Sequence, residues 1–326
     1  MNSDVIQPPQ LTTGRLLFLG LSSVIMCISF IMSVFAPFPL ALAIILYGRL
    51  KGFLTGLMGL VLSFVFAVLV YQDLTLFGFY VCVFVFAIAI SEIVTRGISP
   101  IKGMVSFGLL FIALISAISG YAIKSQDLTV EQFVVQQIEK SSDKLAEQKA
   151  IIEKSTDKDT IEALQLLENP KLLAKELIAA LPSYFFIGVF LMLWFNMFIV
   201  LKGRRLLLSG HDYPYSERNL LNFKVPFPFV FVLVLALVMA VWGEDLGFAS
   251  FESLGFTIIK CLGIFYFFQG FGVFSDLLNF LGVAGFFRSL IVMVVIFLAN
   301  YMIAAAGLFD NWFDFRKYFV KRNTEE

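Results

Sequence analysis

The residues that carry most enzyme chemistry are scarce in this chain. Of 326 residues, one is histidine and three are cysteine. A single imidazole, His211, builds neither a zinc site nor a facial triad, and no HExxH pair is present. Cys27, Cys82 and Cys261 lie far apart within apolar runs. They suggest packing, not a disulfide framework or a thiolate metal site. There is no GxxxxGK[ST] phosphate loop, so ATP hydrolysis by this chain alone is not expected. Nor is any nucleophile–base pair apparent. The expectation is a protein that is not an enzyme and holds no cofactor or metal. Charge is scarce too, at 15% of residues, against about 25% in soluble domains. The 24 basic and 24 acidic residues balance, so no overall field draws nucleic acid.

Apolar residues fill the space that charge leaves. They make up 59% of the chain, with 39 phenylalanines, a composition that lipid tolerates better than water does. Runs long enough to span a bilayer occupy 16–36, 53–71, 76–94, 104–123, 181–201, 227–242, 255–274 and 289–308. A shorter run, 40–47, is the candidate for a ninth span. The first run is too long for the apolar core of a signal peptide, and it is read as an uncleaved span. The fold expected is an all-α integral membrane protein, a bundle of eight or nine transmembrane helices with a helical polar insert. Residues 1–123 and 177–326 form its membrane parts, and 124–176 the insert.

Lys and Arg cluster in three loops: Arg49 and Lys51; Arg96 and Lys102; and Lys202, Arg204, Arg205, Arg218 and Lys224. Loops 72–75 and 243–252 carry acids and no Lys or Arg. Alternation of the two sets places the basic loops in the cytoplasm. If 40–47 crosses, Arg15 is cytoplasmic as well. Pro37 and Pro39 then stand at the outer mouth of a short helix, where a missing N–H costs nothing, and Arg49 ends it. One conflict remains. Three spans after the Lys202–Lys224 loop would put the C-terminus outside, yet Arg316, Lys317, Lys321 and Arg322 are there.

The insert begins with Thr129-Val-Glu-Gln132, a capping box, and has a second cap at Asp159-Thr-Ile-Glu162. Asn169-Pro170 reads as an N-cap with proline in the first turn. The insert is either a solvated amphipathic hairpin or a partner-docking surface. Gly52-x-x-x-Gly56, Ala113-x-x-x-Ala117 and Ser116-x-x-x-Gly120 are spacings that permit close helix approach. The Pro37-Phe-Pro39 pattern recurs at Pro226-Phe-Pro228, by coincidence or as an inverted repeat.

Polar groups inside spans are pointers to function, because lipid penalises them unless they are paired. Glu92 and Arg96 are spaced as an i,i+4 pair. Asn196 bonds either a neighbouring helix or a ligand. The densest set is Lys260, Tyr266, Gln269, Asp276 and Asn279. Gln269 and Asp276 share a helix face if the helix continues through Gly270 and Gly272, whereas a break there would open a cavity. Tyr266, Gln269, Asp276 and Asn196 are the ligand-binding candidates; otherwise they are interhelical glue. The closing Gly307-Leu-Phe-Asp310-Asn-Trp312-Phe-Asp314-Phe-Arg316-Lys317 alternates aromatics with charge, as suits a membrane interface. Asp310 and Asp314, one turn apart, are placed to pair with Arg316 or with a loop. Pro37, Pro39, Arg49, Asp310, Trp312, Asp314 and Arg316 are the structural candidates.

The early PFPLALAIILYGRLKG, the Tyr266-Phe-Phe-Gln269-Gly270 string and the closing GLFDNWFDFRK together resemble the YybS-like family of bacterial membrane proteins, a domain of unknown function. That family is distantly similar to the substrate-binding S components of energy-coupling-factor transporters and to the cell-shape protein MreD. The resemblance implies a compact helical bundle in the bacterial inner (cytoplasmic) membrane with a small-molecule cavity. It supplies no substrate and no catalytic residues. Two functions are expected from it. One is binding, and translocation, of a small-molecule ligand with an energising protein partner. The other is a scaffold for envelope or shape machinery, with an envelope protein as partner. Apart from these, the partner is the lipid bilayer.

Overall fold

The structure is a computed structural model that describes residues 12–29, 32–140, 169–208, 212–243 and 249–320. The second predicted cap of the insert, His211, Lys321 and Arg322 lie outside the described residues. All regular elements among the described residues are helical. Five helices are long and apolar enough to cross a membrane: Arg49–Tyr71, Thr75–Thr95, Pro100–Lys124, Lys171–Lys202 and Phe251–Phe280. A sixth is counted if the pair Gly285–Ile296 and Asn300–Phe313, bent by 93°, is one span. Thr13–Ile28, Met32–Tyr47 and Phe229–Trp242 are apolar but shorter.

The chain forms two compact units. The first comprises Met1–Leu109, Gly188–Phe227 and Gly263–Glu326. It opens with α1 (Thr13–Ile28), a 3-10 turn (Met32–Phe35) and α2 (Pro37–Tyr47). Next come α3 (Arg49–Phe66), which runs on as a π turn to Tyr71, and α4 (Thr75–Thr95). The expected span 16–36 is therefore not one helix. It stops at Ile28, where Ser29 turns extended (φ −83°, ψ 115°). A helix continued into 37–47 would put the Pro37 ring against the preceding turn with no N–H to offer. Pro37 and Pro39 instead occupy the first turn of α2, and both are buried.

Packing around α3 follows from small residues. A Cβ on Gly52 would lie 2.5 Å from Ile44 Cα, and one on Gly56 2.1 Å from the Phe84 ring. The spacing read from sequence thus brings α2 and α4 against α3. Glu92 near the end of α4 accepts from Arg96 one turn on, and from Arg49 at 3.0 Å. Both guanidinium groups are more than half exposed, so each pair contributes under about 1 kcal/mol.

The second unit comprises Leu110–Ile187 and Pro228–Leu262. It holds the distal part of α5 (Pro100–Lys124), then α6 (Val130–Lys140) and the start of α7 (Pro170–Lys202). It also holds α10 (Phe229–Trp242) and the start of α11 (Ala249–Phe280). Between these lie α8 (Arg204–Leu207) and α9 (Glu217–Leu221) of the first unit. The capping box at α6 is formed: Gln132 N–H donates to Thr129 Oγ1 and Thr129 N–H to Gln132 Oε1. Asn169 Oδ1 accepts from Leu172 N–H and starts α7. That helix does not stop before the predicted span at 181. It runs 33 residues through Pro182, and Ser183 Oγ donates to the Ala180 carbonyl in the loosened turn. Lys260 lies 5.3 Å from the Tyr184 ring centre. Ala113, Ser116, Ala117 and Gly120 are exposed, so among the described residues no helix of the unit packs on those spacings.

Gly56→Leu is expected to lower stability by about 1–3 kcal/mol through overpacking. Gly120→Leu, where an added Cβ meets nothing within 4 Å, should leave it nearly unchanged. Thermal melting in detergent, monitored by intrinsic fluorescence, checks the contrast.

Candidate functional site

α11 is long, apolar and unbroken, so Gly270 and Gly272 do not open a cavity. They let other chain segments touch its backbone. A Cβ on Gly270 would lie 1.8 Å from the Ile303 carbonyl oxygen on α13 (Asn300–Phe313). One on Gly307 would lie 2.0 Å from the Tyr266 oxygen, and one on Gly272 2.0 Å from the Leu221 oxygen. Only glycine permits this crossing. It brings Gln269 against the closing motif.

Gln269 is fully buried. Its Nε2 donates to Asp310 Oδ2 and to Asn311 Oδ1, both at 3.1 Å, and its Oε1 accepts from Val225 N–H at 2.8 Å. Arg316, which opens the short α14 (Arg316–Val320), completes the cluster. Its Nη1 donates to the Leu221 carbonyl at 2.9 Å and its Nη2 to the Gln269 carbonyl at 3.1 Å. Its Nε stands 3.7 Å from Asp310 Oδ2, and that pair is nearly or wholly buried. Asp314 has the left-handed backbone (φ 46°) that ends α13 and turns the chain back. Its carboxylate meets Lys224 at 2.9 Å and Lys317 at 2.8 Å. Hydrogen bonds from Lys317, then from Lys224, hold that carboxyl below the ordinary carboxylate range. Asp310 and Asp314 thus take one partner each from the alternatives the sequence offered: Arg316 for the first, the loop for the second.

Loop 212–228 is pinned along its length. Tyr213 donates to the Ile98 carbonyl at 2.9 Å, and burial pushes its hydroxyl above the usual phenol range. Arg218 pairs with Asp276 at 3.4 Å. Trp312 is half exposed and its ring lies edge-on to Phe227 of the second proline pattern. Beneath this loop lies a slot of about 20 Å³, lined only by apolar side chains, among them Leu220, Phe223, Phe190, Trp194, Phe265 and Phe268. Trp194 is stacked between Phe198 and Phe268, with centroids at 5.3 and 5.0 Å.

Phe280, at the end of α11, lies 5.7 Å from Phe319 of α14. Asp276 and Asp314 both reach loop 212–228. The chain between them, α12 (Gly285–Leu298) and α13, therefore leaves from and returns to one end of the unit. The terminal basic residues Arg316 and Lys317 stand beside the basic loop.

The sequence-predicted residues Gln269, Asp310 and Arg316 are brought together here, with Asp276 and Asp314 on the flanks. Tyr266 is 2% exposed and its hydroxyl has no hydrogen-bond partner. Asn196 does not join them; its Nδ2 donates to the Val34 carbonyl at 2.7 Å. Sequence reasoning missed Asn311, Tyr213 and Arg288, the last of which bonds Asn279 and, at 2.8 Å, Ser275 Oγ. The capping box Ser216–Asn219 was a legible sign that loop 212–228 is ordered.

A family model described as a predicted membrane protein (DUF2232) matches residues 15–311. The chain belongs to that family. The match spans the paired helices, the pinned loop and Asp310, and it stops inside the closing motif. Comparison with curated proteins and with solved structures finds no match. This member of the DUF2232 family is thus a multi-pass membrane protein whose closing motif locks onto a loop.

Asp310→Ala leaves Arg316 buried without its counter-charge and should cost about 3–5 kcal/mol in detergent unfolding. Asp314→Asn should cost less, because that site is solvent-screened. Its effect has a sign in pH. The folded pKa is depressed, so the contribution is present at neutral pH and fades as pH falls through that value. Melting of the wild type and Asp314→Asn should therefore converge in acid.

Proposed function

We propose that this protein is a binding component of the bacterial inner membrane, with its basic loops facing the cytoplasm, that takes a small molecule with an apolar, aromatic part. It translocates that molecule only with energy from a partner protein. The observation that carries this reading is the aromatic slot bordered by a loop that Gln269 and Arg316 hold in place, both of them paired with Asp310. A slot of this size admits no more than a water-sized group, so the form described is the closed one. Release of the Gln269–Val225 and Arg316–Leu221 bonds would lift Leu220 and Phe223 off the slot. In this reading the eight or nine apolar runs are full spans, shorter spans and two hairpins, 13–47 and 285–313, that return to their own side. Discontinuous helices of this kind suit transport proteins, and the resemblance to transporter S components agrees. No catalytic step is part of the proposal.

A second reading has its own support. The side-chain oxygen and nitrogen of Gln269 are already engaged by protein, as a scaffold for envelope machinery would have them, and the likeness to MreD agrees with that role.

The two are separated by mass spectrometry of protein purified from its native membrane in mild detergent. A stoichiometric aromatic metabolite, lost in Trp194→Ala and retained less well in Gln269→Ala, is the expected result. No metabolite, with an envelope protein that co-purifies and is lost when 124–176 is deleted, would leave the scaffold.

A further inference from the structure

The end of α11 carries charges that the closing motif does not use. Its apolar stretch Phe251–Phe280 has 30 residues, a rise of about 45 Å against about 30 Å of hydrocarbon core. The surplus carries helix into the headgroup layer, and the last two turns are polar enough for it, with Ser275, Asp276 and Asn279.

Two arginines from distant parts of the chain hold this one turn. Arg218 of α9 reaches Asp276 at 3.4 Å, and its side chain is 66% exposed. Arg288 of α12 donates from Nη1 to Asn279 Oδ1, and from Nη2 to Ser275 Oγ at 2.8 Å and the Ser275 carbonyl at 3.4 Å. All three acceptors of Arg288 are uncharged. Asp276 is the one carboxylate on the turn. Together with the negative end of the helix dipole, equivalent to about half a charge, it does not neutralise two guanidinium groups.

The donors are not used up either. A guanidinium has five N–H groups in a planar fork. These contacts take three from Arg288 and one from Arg218. The others are free to bind oxygens, and a phosphate group accepts them in pairs. Apolar surface borders the charge. Phe286 and Phe287 directly precede Arg288, and both rings are largely exposed, as is Leu281 in the turn between α11 and α12. A free anion has no use for those side chains, whereas a lipid brings a phosphate and acyl chains together.

We infer that the end of α11 is a binding surface for an anionic phospholipid in the leaflet that faces loop 212–228. Arg288 and Arg218 take its phosphate, and Phe286, Phe287 and Leu281 lie against its chains. The excess of positive charge selects the headgroup, because a zwitterionic lipid would bring a second cation to the same place. None of these residues lines the aromatic slot, so the lipid binds with or without a ligand there.

The test is thermal unfolding of the purified full chain in mild detergent, with phosphatidylglycerol, phosphatidylcholine or inorganic phosphate added. A ligand that binds only the folded state raises the melting point saturably. Phosphatidylglycerol should do so at low ionic strength, and the other two should not. Arg288→Gln and Arg218→Gln should each weaken its midpoint about fivefold, equivalent to roughly 1 kcal/mol. If Arg288→Gln fails to fold, Arg218→Gln alone decides. Lys51→Gln removes an equal charge from the exposed start of α3 and should leave the midpoint unchanged. Equal shifts with the two lipids, or none with either, overturn the inference. So does a shift that inorganic phosphate reproduces, or one that the arginine variants leave unchanged. A midpoint weakened as much by Lys51→Gln as by Arg218→Gln overturns it too, because net charge alone then explains the binding.

Discussion

A backbone group that leaves a helix inside a membrane protein must be met by another part of the chain, because lipid offers it nothing. That constraint orders the first unit. At the α1–α2 turn the carbonyls of Val34 and Ala36 are met by Asn196 and Ser23. At loop 212–228 the Leu221 carbonyl and Val225 N–H are met by Arg316 and Gln269. In both places irregular chain is held by side chains from distant helices. Glycines at 270, 272 and 307 bring backbone close enough for the second arrangement to form.

The closing motif shows how a sequence of charges and rings becomes a fastening. Asp310 faces inward and is buried with Arg316, while Asp314 turns outward to two lysines. The buried pair is weak support for net stability, since desolvation offsets much of its attraction. Its consequence is positional. Arg316 reaches from the C-terminal helix to the Leu221 carbonyl and so fastens that helix to loop 212–228, whose Leu220 and Phe223 line the aromatic slot.

Composition and periodicity carried most of the helical architecture. The five long spans, the cap at Asn169 and the Thr129–Gln132 box were legible because each rests on local chemistry. The break after Ile28 was not legible, because run 16–36 carries no charge and no proline and what ends it is Pro37, just beyond its end. The continuity of α7 through Pro182 and of α11 through two glycines was equally hidden. Proline and glycine signal breaks in isolation, while neighbours decide whether the helix runs on. Gln269 and Asp310 could be named from sequence, but not their contact. Forty-one residues separate them, and only the Gly270–Gly307 crossing brings them together. The bend between α12 and α13 was also out of reach, since counting apolar runs cannot distinguish one straight helix from two that meet at 93°.

The central claim is that the closing motif and loop 212–228 lie together on one side of the membrane. Cysteines placed at Arg204 and Tyr318, in a variant with the three native cysteines replaced, test it with a membrane-impermeant maleimide. The account predicts that both are protected in intact spheroplasts and both are labelled in inverted vesicles. Labelling of the two from opposite sides would contradict it.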